Sequence, residues 1–229
     1  MSVRPSRSYP TQLATSQAVD AGSTTVQTLN CTIPPGINRV LIVSAGKHST
    51  NTGSIIAVTA GSNNVALTQV IADEGVNGSN RLRGESWILT DDFSTGIPSI
   101  AEVPASTSIE INITWTAPAT DKTATCFTFT GVDQTTPVAN TNSANEANDD
   151  DTPLTLAQDA DTLSVLSCFH SAGVAQTLTV TTATTGTQSG GSLSQIDGYR
   201  EDRNGAETYN CNSGANGRKV FLGINLNGD

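Results

Sequence analysis

The sequence predicts an all-β fold: an antiparallel two-sheet sandwich, jelly-roll-like, preceded by an extended N-terminal arm. Three observations point there. Polarity comes from Thr, Ser, Asn and Gln more than from charge, since charged residues make up only 14% of the 229. Such a Thr- and Gly-rich chain suits strands and turns better than helices. Apolar residues recur with period two in segment after segment, and clusters of Gly, Pro and Asn interrupt them at short intervals.

Residues 1–20 read as the arm. Pro5 and Pro10 favour an extended path, and Arg4 and Arg7 are its only charges before Asp20. The body, residues 21–229, reads as one domain. Its first strand, TTVQTLNCTI, stops at Pro34-Pro35-Gly36. In NRVLIVSAG the unbroken run Val40 to Val43 predicts a strand covered on both faces. SIIAVTAG and NNVALTQVI flank Gly61-Ser62-Asn63 as a hairpin. RLRGESWILT follows as a strand, ended by Asp91-Asp92.

TSIEINITWT alternates cleanly, with Ile109, Ile111, Ile113 and Trp115 on one face and Glu110, Asn112 and Thr114 on the other. TATCFTFTG repeats the pattern with Phe127 and Phe129. TLSVLSCFHS groups Leu163, Val165 and Phe169, and QTLTVTT adds a short strand. KVFLGINL closes the series with Val220, Leu222, Ile224 and Leu226. Two stretches break the rhythm. Asn140–Asp151 is polar and acidic and reads as an exposed loop, and Thr184–Gly217 reads as long end loops. The number of short strands favours a jelly roll over an immunoglobulin-like sandwich.

Net charge is −10. Such a surface repels phosphate backbones, so nucleic acid is not an expected partner. No apolar run reaches the length of a membrane-crossing helix, and no membrane is expected. MSVRPSRSYPTQLATS lacks the apolar core of a signal peptide, which predicts synthesis in a host cytoplasm. Cys31, Cys126, Cys168 and Cys211 include no CxxC pair, which argues against zinc. Cys126 and Cys168 fall within predicted strands as small buried apolar residues, and disulfide connectivity stays open.

The motifs that carry chemistry fail in context, so no catalytic residue, cofactor or metal is expected and the chain reads as a non-enzyme. Ala45-Gly46-Lys47-His48-Ser49-Thr50 lacks the earlier glycine and the following helix of a phosphate loop. His48 and His170 are the two available bases for a Ser–His–Asp triad, and no nucleophile elbow accompanies them. His170 ends an apolar strand and reads as a core-edge histidine. Aromatics are 4% of the chain, too few to line a glycosidase cleft. Glu146 and Asp149–Asp151 lack the alternating spacing of a calcium loop and read as solvated acid.

One ordered set of features is more specific. NRVLIVSAG after a Pro-Pro-Gly turn precedes IIAVTAGSNNVALTQV, and TATCFTFTG later runs into Gly131-Val132-Asp133-Gln134-Thr135-Thr136-Pro137-Val138. This order resembles a β-sandwich module of phage virion proteins and some bacterial surface proteins, over about residues 24–180. Physically the corner is a fold marker: Gly131 suits a positive φ, Asp133 an Asx-turn, and Pro137 a fixed exit.

The resemblance implies a structural or adhesive role and brings no catalytic residues. The leading expectation is a phage virion structural protein, foremost a capsid decoration (cement) protein working in the virion. Its expected partners are the major capsid protein or other virion proteins, and its expected state is a homo-oligomer, with a trimer as the specific guess. Arg4, Arg7 and Tyr9 are the candidate docking residues. The alternative is a host- or carbohydrate-binding module of a tail or vertex fibre, with Tyr199, Arg200 and Tyr209 as surface-loop contacts. A sandwich-fold hydrolase ranks third.

Overall fold

A computed structural model of the chain describes residues 10–20, 24–50, 53–62, 64–91, 107–119, 121–158, 162–179, 181–201 and 205–229. Among them there are strands, turns and bends and no helix. The middle sheet consists of β1 (Thr11–Asp20), β3 (Val40–Ser49), β6 (Thr68–Asn77), β7 (Asn80–Thr90) and β9 (Asp121–Thr130). Their spatial order is β1-β9-β3-β7-β6. On one face lies a smaller sheet of β2 (Thr24–Ile33), β4 (Ile55–Ala60), β5 (Val65–Ala66) and β8 (Thr107–Ala119), in the order β2-β8-β4-β5.

The other face carries a third sheet. It contains β10 (Val138–Gln158), β11 (Thr162–His170), β12 (Thr177–Leu178), β13 (Ala183–Thr184), β14 (Gln188–Gly190), β15 (Leu193–Glu201) and β16 (Gly205–Asn227). Its main path is β10-β16-β11-β15-β13. Every strand pairing is antiparallel.

The fold is the predicted all-β antiparallel sandwich, carried one layer further. Residues 11–130 build the first two sheets and residues 138–227 build the third. The two halves meet at the predicted corner. Gly131 has φ 71°, and the Asp133 carboxylate accepts from the backbone N–H of Thr135 at 2.7 Å and of Thr136 at 3.1 Å.

Period two decides which core each side chain enters. On β3, Leu41, Val43 and Ala45 join Trp87, Leu89, Ala124 and Cys126 beneath Leu29, Cys31, Ile111, Ile113 and Trp115 of the small sheet. Val40 and Ile42 face the other way, with Phe127 and Phe129, onto Leu163, Val165, Ile224 and Leu226 of the third sheet. β3 is therefore covered on both faces, as its unbroken apolar run requires. Gly46 and Gly84 pair across β3 and β7. The Phe169 ring lies against both, in space that a Cβ on either would occupy.

The third sheet folds back over its own outer face. Residues 138–146 of β10 pair with 219–226 of β16, and residues 151–158 pair with 205–212. Register breaks between Glu146 and Asp151 mark the bend. Within β10, Asn140 Nδ2 donates to the Ala157 carbonyl and Asn142 Nδ2 to the Thr155 carbonyl, each at 2.7 Å. The returning ribbon brings Leu154, Leu156, Tyr209 and Cys211 onto Leu166, Cys168, Ile196 and Phe221.

Three expectations are corrected. Asn140–Asp151, read as a loop, belongs to β10, because pairing with β16 supplies backbone partners that its polar side chains do not advertise. Thr184–Gly217, read as end loops, holds β14, β15 and much of β16. Residues 11–20, read as part of a free arm, form β1, an edge strand of the middle sheet in register with β9.

Two disulfides staple successive layers. Cys31–Cys126 joins the small sheet to the middle one, and Cys168–Cys211 joins the returning ribbon to the third sheet. Cys126 and Cys168 are buried as expected, Cys31 and Cys211 are buried too, and all four are covalently paired.

Candidate functional site

Two places concentrate polar chemistry between the middle and third sheets. The first is a buried seam. Asp197 on β15 is fully buried and accepts from Thr125 Oγ1 on β9 at 2.6 Å and from Gln195 Nε2 at 2.9 Å. Gln195 Nε2 also donates to the Ser44 carbonyl at 3.3 Å, and Gln188 Nε2 to Thr125 Oγ1 at 2.9 Å. Burial raises the Asp197 pKa from 3.8 to about 6, against the opposing hydrogen bonds of Ser167, Thr125 and Gln195. The seam is shut off from solvent, so its chemistry is structural: hydrogen-bonded polar groups, with Gln188 Oε1 left without a partner among the described residues, that fix how the two sheets register.

The second is a chain of side chains at the end of β3. Ser192 Oγ donates to the Asp121 carboxylate at 2.5 Å, His48 Nδ1 lies 2.8 Å from Ser192 Oγ, and Arg218 Nη2 lies 3.1 Å from His48 Nε2. A guanidinium can only donate, so Nε2 accepts and Nδ1 carries the proton. His48 then donates to a serine whose own proton points at a carboxylate. This is the reverse of a nucleophilic triad, in which the imidazole withdraws the serine proton. Burial and the Arg218 charge both lower the His48 pKa, which Asp121 opposes.

His170 is likewise committed. Its Nδ1 lies 3.2 Å from the Ala172 backbone nitrogen and 3.3 Å from the Ala172 carbonyl oxygen, and its Nε2 lies 3.4 Å from Ser213 Oγ. It is fully buried, deeper than the core edge predicted for it. Burial lowers its pKa, the Lys219 charge adds to that, and smaller backbone hydrogen bonds at Ala172 and Ala215 oppose it. Among the described residues no group of His, Cys, Asp and Glu is arranged to hold a metal ion.

A cleft of about 290 Å³ separates the edge of the middle sheet from that of the third. Gln12, Thr15 and Gln17 of β1 line one wall, Thr184 and Thr185 the other, and Phe127 and Tyr199 the floor. Gln17 Nε2 donates to the Gly186 carbonyl at 3.1 Å and bridges the walls. Among the described residues, no charged side chain lines it.

The predicted contact residues separate. Tyr199 and Arg200 sit on strand β15, not on a loop. Tyr199 lies edge-on to Phe129 at 6.0 Å and lines the cleft. Arg200 points to the opposite face and pairs with Glu207 of the ribbon at 3.6 Å. Tyr209 is completely buried, with its hydroxyl donating to Ser164 Oγ at 3.1 Å, and is no surface contact. Arg4, Arg7 and Tyr9 lie outside the described residues.

Asp197, Gln195, Ser192 and Asp121 went unnoticed in the sequence. Their partners on other strands lie between 71 and 151 residues away, and no local spacing marks them. No family model matches the chain, no curated protein matches it, and no solved structure matches it.

Proposed function

We propose that this chain is a virion structural protein of a bacteriophage, a decoration protein that docks on the capsid shell and stabilises it. One observation carries the reading: neighbouring layers are tied together by covalent and polar links. A disulfide staples the small sheet to the middle sheet, another staples the ribbon to the third sheet, and the Asp197 seam ties the middle and third sheets. Such a body resists deformation without a ligand, which is the property a shell-reinforcing protein needs. The polar groups of the Asp197 seam and of the His48 chain are engaged in packing, which fits a mechanical role and a non-enzyme.

Docking is assigned to the basic segment with Arg4, Arg7 and Tyr9, which leads directly into edge strand β1. An edge strand also offers backbone groups for pairing with a neighbour. Because β1 begins at Thr11, the informative truncation removes residues 1–9 and spares the sheet. Particles assembled with the truncated protein should lose it, as read by mass spectrometry and cryo-EM of purified virions. Undiminished incorporation at wild-type copy number would overturn the docking assignment. Analytical ultracentrifugation tests the proposed trimer.

A second reading has its own observation. The uncharged cleft floored by Phe127 and Tyr199 and walled by amides and hydroxyls suits a neutral saccharide, in keeping with an adhesive tail or vertex module. Glycan-array binding that is lost in Tyr199→Ala would favour it over the decoration role.

A further inference from the structure

The junction between the middle and third sheets has no disulfide across it, because all four cysteines are used at the other two layer junctions. Three side chains meet there in the order carboxylate, hydroxyl, carboxamide. Thr125 Oγ1 on β9 donates to Asp197 Oδ2 on β15 at 2.6 Å and accepts from Gln188 Nε2 on β14 at 2.9 Å. Thr125 and Asp197 are fully buried, and Gln188 is buried with them.

A threonine hydroxyl is a weak nucleophile until a base in hydrogen-bond reach takes its proton. Asp197 stands within that reach. Desolvation raises its pKa to about 6, so it is a stronger base than an ordinary carboxylate and is still mostly ionised at neutral pH.

The electrophile is held beside it. The Gln188 amide carbon is one C–N bond beyond Nε2, which puts it within about 4.2 Å of the hydroxyl oxygen. The last torsion of a glutamine is broad, and Gln188 Oε1 has no hydrogen bond to hold it. The amide can therefore turn its face to the hydroxyl. Nε2 rests against the Ala124 carbonyl and Gln195 Oε1, each at 3.1 Å. Both are acceptors, which suits a nitrogen that gains a proton as it leaves. Fixing the two reactants in one place replaces the encounter that a reaction between separate molecules would need.

We propose that Thr125 Oγ1 attacks the Gln188 side-chain carbonyl carbon, with Asp197 taking the hydroxyl proton, to form a Thr125–Gln188 ester and release ammonia. The C–O bond forms as the C–N bond breaks. The proton passes by way of Asp197 to the departing nitrogen, and nothing is oxidised or reduced. Burial then shields the ester from hydrolysis. The hydrogen-bonded arrangement is the state before reaction, and the reaction runs once per molecule without turnover. The ester joins β9 to β14, so covalent links cross every layer junction from the small sheet to the ribbon. This inference does not depend on the virion role.

The test is mass spectrometry of the full chain, reduced, alkylated and denatured, sampled at intervals after cell-free synthesis at neutral pH. The wild type should become lighter than its sequence by one ammonia. A peptide map should show the segment carrying Thr125 joined to the segment carrying Gln188, and hydroxylamine should separate them. Thr125→Val and Gln188→Met each remove one reactant with little change in size and should keep the full mass. Asp197→Asn keeps both reactants and should slow the loss roughly a hundredfold or more. Full wild-type mass after prolonged incubation would overturn the proposal. So would an ammonia loss that maps within a single peptide, as a succinimide at an Asn-Gly pair does, or one that persists in folded Thr125→Val or proceeds at the wild-type rate in folded Asp197→Asn. Should the variants fail to fold, the wild-type peptide map decides alone.

Discussion

The Asp197 carboxylate on β15 accepts a 2.6 Å hydrogen bond from the Thr125 hydroxyl on β9, joining two sheets where both residues are buried. The carboxyl is held at a pKa of about 6 against an ordinary 3.8. The folded state therefore binds this proton more tightly than the unfolded chain does. The resulting stabilisation is complete below the unfolded value and is lost as pH rises through about 6. Its full size is about 3 kcal/mol, from a shift of roughly two units at ~1.4 kcal/mol each. Urea titrations from pH 4 to 7.5 should show this component in the wild type and not in Asp197→Asn. An identical pH dependence in both proteins would refute it.

The two histidines work in the opposite direction. Burial lowers both pKa values, so each contributes stability that is present above the unfolded value near 6.5 and lost as pH falls through the folded one. The Arg218 hydrogen bond also fixes the tautomer of His48. Nitrogen-detected NMR at neutral pH should find the proton of His48 on Nδ1, and both histidines should titrate with midpoints below 6.5. A His48 proton on Nε2 would contradict the Arg218 contact and reopen Ser192 as a nucleophile.

Gly46→Ala should destabilise by about 1–3 kcal/mol through overpacking. The added Cβ would fall 2.3 Å from the Phe169 ring. Phe169→Leu in the same chain should recover part of the loss, because the obstacle is that ring. Thermal unfolding of the two single variants and the double variant checks the coupling, and strict additivity would show that the glycine is required for some other reason.

Removing the disulfides one at a time should separate the layers. Cys31 and Cys126 are 95 residues apart, Cys168 and Cys211 43 apart. Loop-closure entropy sets the ceiling at about 4–5 kcal/mol for the first and about 4 kcal/mol for the second. Paired Cys→Ala variants should fall within these limits in denaturant titrations. The first variant should gain hydrogen exchange in the small sheet and the second in the ribbon.

Strands with an apolar rhythm were legible. TTVQTLNCTI coincides with β2, and the alternation in TSIEINITWT places Ile111, Ile113 and Trp115 in one core. What stayed hidden was pairing over distance. Nothing in NTNSANEANDDD announces a strand, because its partner β16 begins about fifty residues after β10 ends and its own side chains stay mostly wet. Ser194, Gln195 and Asp197 read as loop residues by hydropathy, yet all three are buried, because each finds a hydrogen-bond partner on a segment distant in sequence: Ala172, Ser44 and Thr125. Tyr209 was misplaced for the same reason: the ribbon that covers it is visible only in three dimensions. In the candidate sites, Tyr199 was singled out by residue type as a loop contact and lies instead on strand β15, where it lines the cleft.

The division of the sheets along the chain sets an order of events during synthesis. The small and middle sheets are complete once Thr130 has left the ribosome. At that moment Val40, Ile42, Ile88, Phe127 and Phe129 form a bare greasy face, because Ile224 and Leu226, which cover it, arrive about a hundred residues later. β16 is also the strand that joins β10 to β11. For several seconds of translation the nascent half-molecule must therefore be sheltered by a chaperone or risk sticking to its neighbours.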